Sequence, residues 1–217
     1  MRVDLHTHSI FSDGELIPAE LVRRAAVLRH DAIAITDHVD MTNVDHVVTN
    51  LVKAAELSDD TIRVIPGVEI THVHPTKMAK VIKRAKELGA EWIVVHGETL
   101  AEPVAKGTNR AAARNPDVDV LAHPGLITEK DVDAAVDNDV ILEITGRSWH
   151  NITNGYVADI ARQFGAKVVI NSDAHAPGDL MKEEAAMNVA LGAGMTRKEA
   201  TRAVNGLPAE ILKRLCP

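Results

Sequence analysis

Short apolar runs alternate with amphipathic stretches from one end of the chain to the other, and nearly every run ends in a histidine or a carboxylate. Seven such runs read as strands, at residues 3–5, 32–36, 62–70, 92–95, 118–122, 140–144 and 167–170. Short apolar runs alternating with helical stretches predict parallel strands joined by helices, an α/β fold. Aromatic residues are only 2% of the chain, so the core must come from Val, Ile, Leu and Ala, as it does in parallel strands covered by helices. With 217 residues and no visible linker, low-complexity tract or internal repeat, one domain over 1–217 is expected.

The helical stretches have their own signals. Met78, Val81, Ile82, Ala85 and Leu88 recur at three- and four-residue spacing and Gly89 follows, which predicts a helix over 75–88. Pro18 opens another over 18–28, with Leu21, Val22, Ala25 and Leu28 on one stripe. Thr196 with Glu199 forms a capping-box pattern, and Pro208 starts a last short helix.

Six of the seven strand ends carry a metal-ligating side chain: His6 and His8, Asp37 and His38, Glu69, His96, His123, then Asp173 and His175. In a βα barrel all parallel strands point their C-terminal ends to one face, so residues scattered from 6 to 175 converge there. Imidazole nitrogen and carboxylate oxygen suit zinc, manganese and iron, and the lack of thiolates argues against a closed Cys-type zinc site. In His6-Thr7-His8 both imidazoles lie on one side of the strand, because side chains alternate with period two. A lone histidine at a strand end is more often structural, but six independent accidents are far less probable than one metal cluster.

Asp4-Leu5-His6-Thr7-His8 with Ser12-Asp13-Gly14, Ile35-Thr36-Asp37-His38, Pro66-Gly67-Val68-Glu69, His123-Pro124-Gly125 and Asn171-Ser172-Asp173-Ala174-His175 occur in that order. This set resembles the polymerase and histidinol phosphatase (PHP) family. The resemblance implies a distorted seven-stranded (βα)7 TIM-like barrel and a phosphoesterase with three divalent metal ions, zinc, manganese or iron. Its ligand positions fall on His6, His8, Asp13, His38, Glu69, His96, His123, Asp173 and His175. By similarity, His6, His8, Glu69 and Asp173 hold one ion; Glu69 bridges to a second on His96 and His123; Asp13, His38 and His175 hold the third. The implied activity is hydrolysis of a small-molecule phosphomonoester by a hydroxide bridging the ions. Asp173, His175 and Glu69 are the expected catalytic groups, with Asp173 or His175 moving a proton.

Other residues are read around that cluster. Arg147, just past the sixth strand in Glu143-Ile144-Thr145-Gly146-Arg147, is the substrate-binding candidate, since guanidinium suits two phosphate oxygens; the alternative is an exposed arginine or one paired with Glu143. The 97–110 loop is long enough to shape a pocket, and Thr108, Asn109 and Arg110 open the next helix, where backbone N–H groups could meet an anion but an ordinary helix cap with an exposed arginine is the simpler reading. Asp4, Asp37, Thr7 and Ser172 are expected to orient imidazoles. His72 and His74 read as surface or supporting residues, and His30, His46 and His150 as structural or exposed.

Composition narrows the partners. Lys plus Arg number 24 against 31 Asp plus Glu, a net charge of -7, which makes nucleic acid an unlikely partner. The rival readings are a phosphodiesterase or 3′-5′ exonuclease on nucleic-acid ends, and a non-catalytic RNA-associated subunit of the kind found in ribonuclease P. An amidohydrolase would leave Asp13, His38 and Glu69 unused. A single cysteine, Cys216, excludes an internal disulfide and fits a reducing compartment. With no apolar run near the ~20 residues that cross a bilayer and no signal pattern after Met1, a cytoplasmic location without membrane contact is expected.

Overall fold

The structure is a computed structural model that describes residues 2–215; Cys216 lies outside them. Strands β1 (Arg2–Thr7), β2 (His30–Ile35), β3 (His38–Val39), β4 (Arg63–Ile70), β5 (Trp92–His96), β6 (Val120–Ala122), β7 (Ile141–Thr145) and β8 (Val168–Asn171) form one sheet. Its order is β1-β2-β4-β5-β6-β7-β8, all neighbours parallel, with β3 pairing only β4. All seven expected strands form, within about two residues of their expected bounds. Strand β3 was not anticipated, because a two-residue pairing, His38 opposite Glu69 and Val39 opposite Ile70, leaves no periodicity to read. The result is a nearly closed α/β barrel.

Helices α1 (Pro18–Val27), α2 (Val44–Ala54), α3 (Pro75–Glu87), α4 (Thr108–Ala113), α5 (Glu129–Asp137), α6 (Asn154–Phe164), α7 (Glu183–Gly192), α8 (Arg197–Thr201) and α9 (Leu207–Leu215) follow. The expected stripes are the buried ones: Leu21, Val22 and Ala25 on α1, and Met78, Val81, Ile82 and Ala85 on α3. The capping box closes as anticipated, Thr196 Oγ1 accepting from Glu199 N and Glu199 Oε2 accepting from Thr196 N at 2.6 Å. Helix α9 carries Pro208 in its first turn.

The barrel interior is layered by strand alternation. Val3, Leu5, Ala32, Ala34, Ile65, Trp92, Val94, Val120, Ile141 and Val169 pack into one buried cluster with Leu207 and Ile211 of α9, so the last helix plugs the end where the strands begin. Two residues further along the same inward face come the polar groups: Glu69 after Gly67, His96 after Val94, Glu143 after Ile141, and Asn171 then Asp173 after Val169. The Trp92 indole fills the layer and donates to the Leu5 carbonyl at 3.1 Å. A bulge in the β1–β2 pairing between Asp4 and Thr7 interrupts the alternation where Leu5 gives way to His6.

Closure between β1 and β8 relies on side chains. The backbone contributes His8 N to Ala174 O at 2.9 Å and Asp173 N to His6 O at 3.0 Å. Below that, Leu5 N donates to Asn171 Oδ1 at 3.0 Å and Ser172 N to Asp4 Oδ1 at 3.1 Å. The fully buried Arg2 guanidinium donates to Val3 O, Ile170 O and Met181 O, and to Asp4 Oδ2 at 2.7 Å. Removing one partner of such a pair leaves an uncompensated buried charge. We therefore expect Asp4→Ala to cost about 3–5 kcal/mol, read as a lower urea midpoint at unchanged m-value; a midpoint within error of wild type would show that Asp4 does not hold the seam.

Candidate metal centre

The strand ends bring all nine expected residues to one mouth, in groups that share members. The ligand atoms of His8, Asp13, His38 and His175 lie within 4.8 Å of one another, as do those of His6, His8 and Glu69, those of His6, His123 and Asp173, and those of His96, His123 and His150. The second and third groups both contain His6 and describe one position. Taken together these two give His6, His8, Glu69, His123 and Asp173, which adds His123 to the first expected set; the Asp13 group adds His8 to its set, and the His96 group holds His150 where Glu69 was expected.

Within the mouth, His6 Nε2 is 3.3 Å from Glu69 Oε2 and 3.6 Å from Asp173 Oδ1, and His8 Nε2 is 3.5 Å and 3.2 Å from the same two atoms. Asp13 Oδ1 lies 3.5 Å from His38 Nε2 and 3.2 Å from His175 Nε2. His123 Nε2 is 3.5 Å from Glu69 Oε1. Most of these groups are fully buried, whereas the Asp13 side chain is 55% exposed and marks the open side.

The buried ligand atoms fit divalent ions. His6 Nε2, both ring nitrogens of His8, both oxygens of Glu69, His123 Nδ1 and Asp173 Oδ1 are buried without a hydrogen-bond partner. Buried polar groups are nearly always satisfied, and each orphan costs about 1–3 kcal/mol, so such a concentration in one cavity calls for a cation between them. Two of the contributors also hold backbone that side chains seldom adopt, His123 at φ 29° and Asp173 at φ 52°.

The groups holding these ligands differ in part from the sequence reading. Glu143, read only as a possible partner of Arg147, accepts from His6 Nδ1 at 2.8 Å and is held by Asn171 Nδ2 at 2.8 Å, which fixes the ring with Nε2 facing the site. An inward mid-strand glutamate beside an expected ligand strand was the available signal. His96 Nδ1 meets Gly97 O, His175 Nδ1 meets Asp173 O, and His38 Nδ1 meets Thr71 Oγ1. Asp4 and Asp37 touch no site imidazole by hydrogen bond, contrary to expectation. Asp4 serves the seam, and Asp37 accepts from Ser9 N, Ser9 Oγ and Ser12 Oγ, pinning the turn that carries Asp13. Gly14 belongs to that turn because a Cβ there would strike the His8 carbonyl. Thr7 Oγ1 donates to Ala34 O, and Ser172 Oγ has no partner.

Around the rim, Arg147 lies 3.6 Å from Asp179, not on Glu143, and Asp179 in turn accepts from His175 N and Ala176 N. The start of α4 is capped by the Glu98 carboxylate, which accepts from Gly107 N and Asn109 N at 2.9 Å, and not by Thr108 or Asn109, whose side chains meet Ala105 O, Glu98 N and Pro124 O. His30 is buried with Nδ1 on Ala25 O, His46 and His74 are exposed, and His72 is exposed but meets Glu102 at 3.2 Å.

Electrostatics follow from the crowding. Burial pushes His38 down, but Glu69, Asp13 and Asp173 outweigh it and raise its pKa to about 9. Burial likewise opposes His6 and His96, yet Glu143, Glu69 and Asp173 raise the first well above the usual range and Glu69 with Glu102 raise the second. Burial is the first cause for His8 and is reinforced by His38, His175 and His6, so it is held well below the usual range. Burial raises Glu69, but His6, His38 and His96 overcome it and hold it ionised.

The PHP domain family profile matches residues 4–90. An uncharacterized protein of Methanocaldococcus jannaschii is 54% identical over 218 residues, covering 99% of this chain and 100% of that protein. The chain belongs to the PHP family. Ribonuclease P protein component 3 of Methanosarcina barkeri is 26% identical over 229 residues, covering 99% of this PHP chain and 90% of that protein. Two solved structures share the fold. An archaeal ribonuclease P with mature tRNA contains a chain matching at TM-score 0.70 and 18% identity, covering 99% and 90% of the two chains. A histidinol phosphate phosphatase from Lactococcus lactis, complexed with zinc, L-histidinol and phosphate, matches at TM-score 0.63 and 15% identity, covering 90% and 94%. Among the described residues no helix is long and apolar enough to cross a membrane.

Metal and protons compete for the same imidazoles. Because His38 titrates near 9 in the metal-free protein and His6 and His96 are also raised, zinc binding at pH 7 should displace roughly one to three protons per chain. The release should shrink as pH rises past about 9, where His38 is already neutral. Calorimetry in buffers of differing ionisation enthalpy measures it, and buffer-independent heats at pH 7 would contradict it.

Proposed function

We propose that this PHP protein hydrolyses a phosphate ester, a small-molecule phosphomonoester foremost, with divalent metal ions held by His6, His8, Asp13, His38, Glu69, His96, His123, Asp173 and His175. The observation that carries the reading is the set of buried nitrogens and oxygens in the barrel mouth that no protein group satisfies. Bound there, the ions would supply Lewis acidity toward phosphoryl oxygens and a water of lowered pKa.

The chain's own residues set the rest. Glu69 belongs to the His6 and His8 group and lies within reach of His38 and His123 of the neighbouring groups, so its charge is shared among four imidazoles. Without metal, Asp173 is pushed up by burial, an effect that His6 and His123 oppose and that Glu69 and Glu143 reinforce; bound cations would lower it, leaving a carboxylate that could accept a proton beside the reacting phosphate. His175, at the open side with Asp13, is placed to pass a proton to a leaving oxygen. Arg147 has two roles within its reach: taking phosphate oxygens directly, or steadying the 173–176 turn through Asp179. A kcat loss in Arg147→Ala equal to that of Asp179→Asn would favour the second.

A second reading has an observation of its own. The likeness to Ribonuclease P protein component 3 runs over nearly the whole chain, so the inference from net charge that nucleic acid is an unlikely partner is not supported. Under this reading the chain associates with RNA, with or without hydrolysis.

Turnover of chromogenic phosphomonoester and phosphodiester with added manganese, zinc or iron tests the proposal. We expect metal-dependent monoester hydrolysis, and a fall of at least about 100-fold in kcat for His6→Ala or Glu69→Gln. Preference for the diester would turn the reading to a nuclease, and tight binding of structured RNA by inactive protein would turn it to the RNA-associated subunit.

A further inference from the structure

His150 and Glu102 lie outside the residues that the motifs single out, yet both enter the barrel mouth. His150 joins His96 and His123 in a group of buried side chains whose ligand atoms all lie within 4.8 Å. Its ring centroid is 4.4 Å from that of His123 and 5.7 Å from that of His96. Glu102 reaches the group from the loop after β5. Its Oε2 is 3.3 Å from His96 Nε2 and its Oε1 is 3.4 Å from His150 Nε2. The three histidines come from the end of β5, the residue after β6 and the turn that follows β7.

The placement of His150 is imposed by its backbone. Trp149 before it sits at φ 69°, a left-handed conformation that is costly for a bulky side chain. The turn leaves the Trp149 ring 75% exposed while His150 is 9% exposed. Burying the polar residue and exposing the apolar one inverts the usual preference. Packing alone gives no reason for it, and a buried imidazole whose Nδ1 has no hydrogen-bond partner supplies one. His123 in the same group also has an unpartnered, buried Nδ1.

We propose that His150 is a metal ligand which, with His96 and His123 and with the Glu102 carboxylate closing the set, makes this position a three-histidine, one-carboxylate zinc site. His150 and Glu102 here take the place that the resemblance gives to Glu69, whose Oε2 lies with His6 and His8; nitrogen donors with one carboxylate oxygen suit zinc, and four protein donors leave no open position, which is the character of a holding site rather than a reacting one. It rests on reading the mouth as a metal centre, and it assigns the ions different duties: the position with Asp13 stays open to solvent, whereas this one fastens the loop carrying Glu102 to the barrel.

The test uses the full chain stripped of metal and reloaded with zinc, with a chromophoric chelator as competitor. Circular dichroism of each metal-free variant checks the fold. We expect His150→Ala to weaken one zinc equivalent by about 100-fold or more, since even partners that only orient a ligand cost 10–100-fold, and to leave the others unchanged. Glu102→Gln, on an exposed loop position that spares the core, should weaken the same equivalent by about tenfold. Cobalt loaded at this position should lose visible absorption intensity in both variants. Wild-type zinc affinities at every equivalent in Glu102→Gln and in folded His150→Ala would overturn this inference and leave the metal centre standing. Wild-type protein that binds no zinc would overturn both.

Discussion

The seam between β1 and β8 is the contact on which the site depends. His6 and His8 leave the first strand and Asp173 and His175 leave the last, so these four residues share a cavity only if the barrel closes. Closure there is a set of specific bonds: Asn171 to Leu5, Asp4 to Ser172, and the buried Arg2 guanidinium to two carbonyls on the β8 side. Asn171 also holds Glu143, which holds His6. The hydrogen bonds that shut the barrel therefore run without a break into those that aim the first imidazole.

The interior divides by height. Apolar side chains fill the end where the strands begin and α9 seals it, so water is excluded below the site. Above that layer the same inward alternation presents Glu69, His96, Glu143 and Asp173. Packing them in a low-dielectric space raises some imidazoles, depresses others and leaves several donor atoms unpaired. A protein would not retain that arrangement for stability. It becomes favourable when cations lie between the groups.

Much of this was legible in the sequence because strand ends and site coincide in a barrel. Eight of the nine residues sit at the end of an apolar run, and the runs are clear because the core is Val, Ile, Leu and Ala; Asp13, in the Ser12-Asp13-Gly14 turn, was reached only through the family resemblance. What escaped is set by local backbone or by long-range contact. His150 turns inward only through the left-handed Trp149, and no periodicity announces such a turn. Glu143 has its role through His6, 137 residues away. Asp37 lies next to His38 and Asp4 two residues before His6, but Asp4 turns to the seam and Asp37 to the Ser9–Ser12 turn. Arg147 found Asp179 because Glu143 was already committed to His6 and Asn171.

Substrate assignment rests on one premise, that the mouth holds metal. The most direct test is elemental analysis of the full chain purified without chelator, against the same protein after chelation and dialysis. The account predicts about three divalent ions per chain, one for each ligand position, falling in His6→Ala. Folded protein that carries no stoichiometric metal, and takes up none when zinc, manganese or iron is offered, would contradict it.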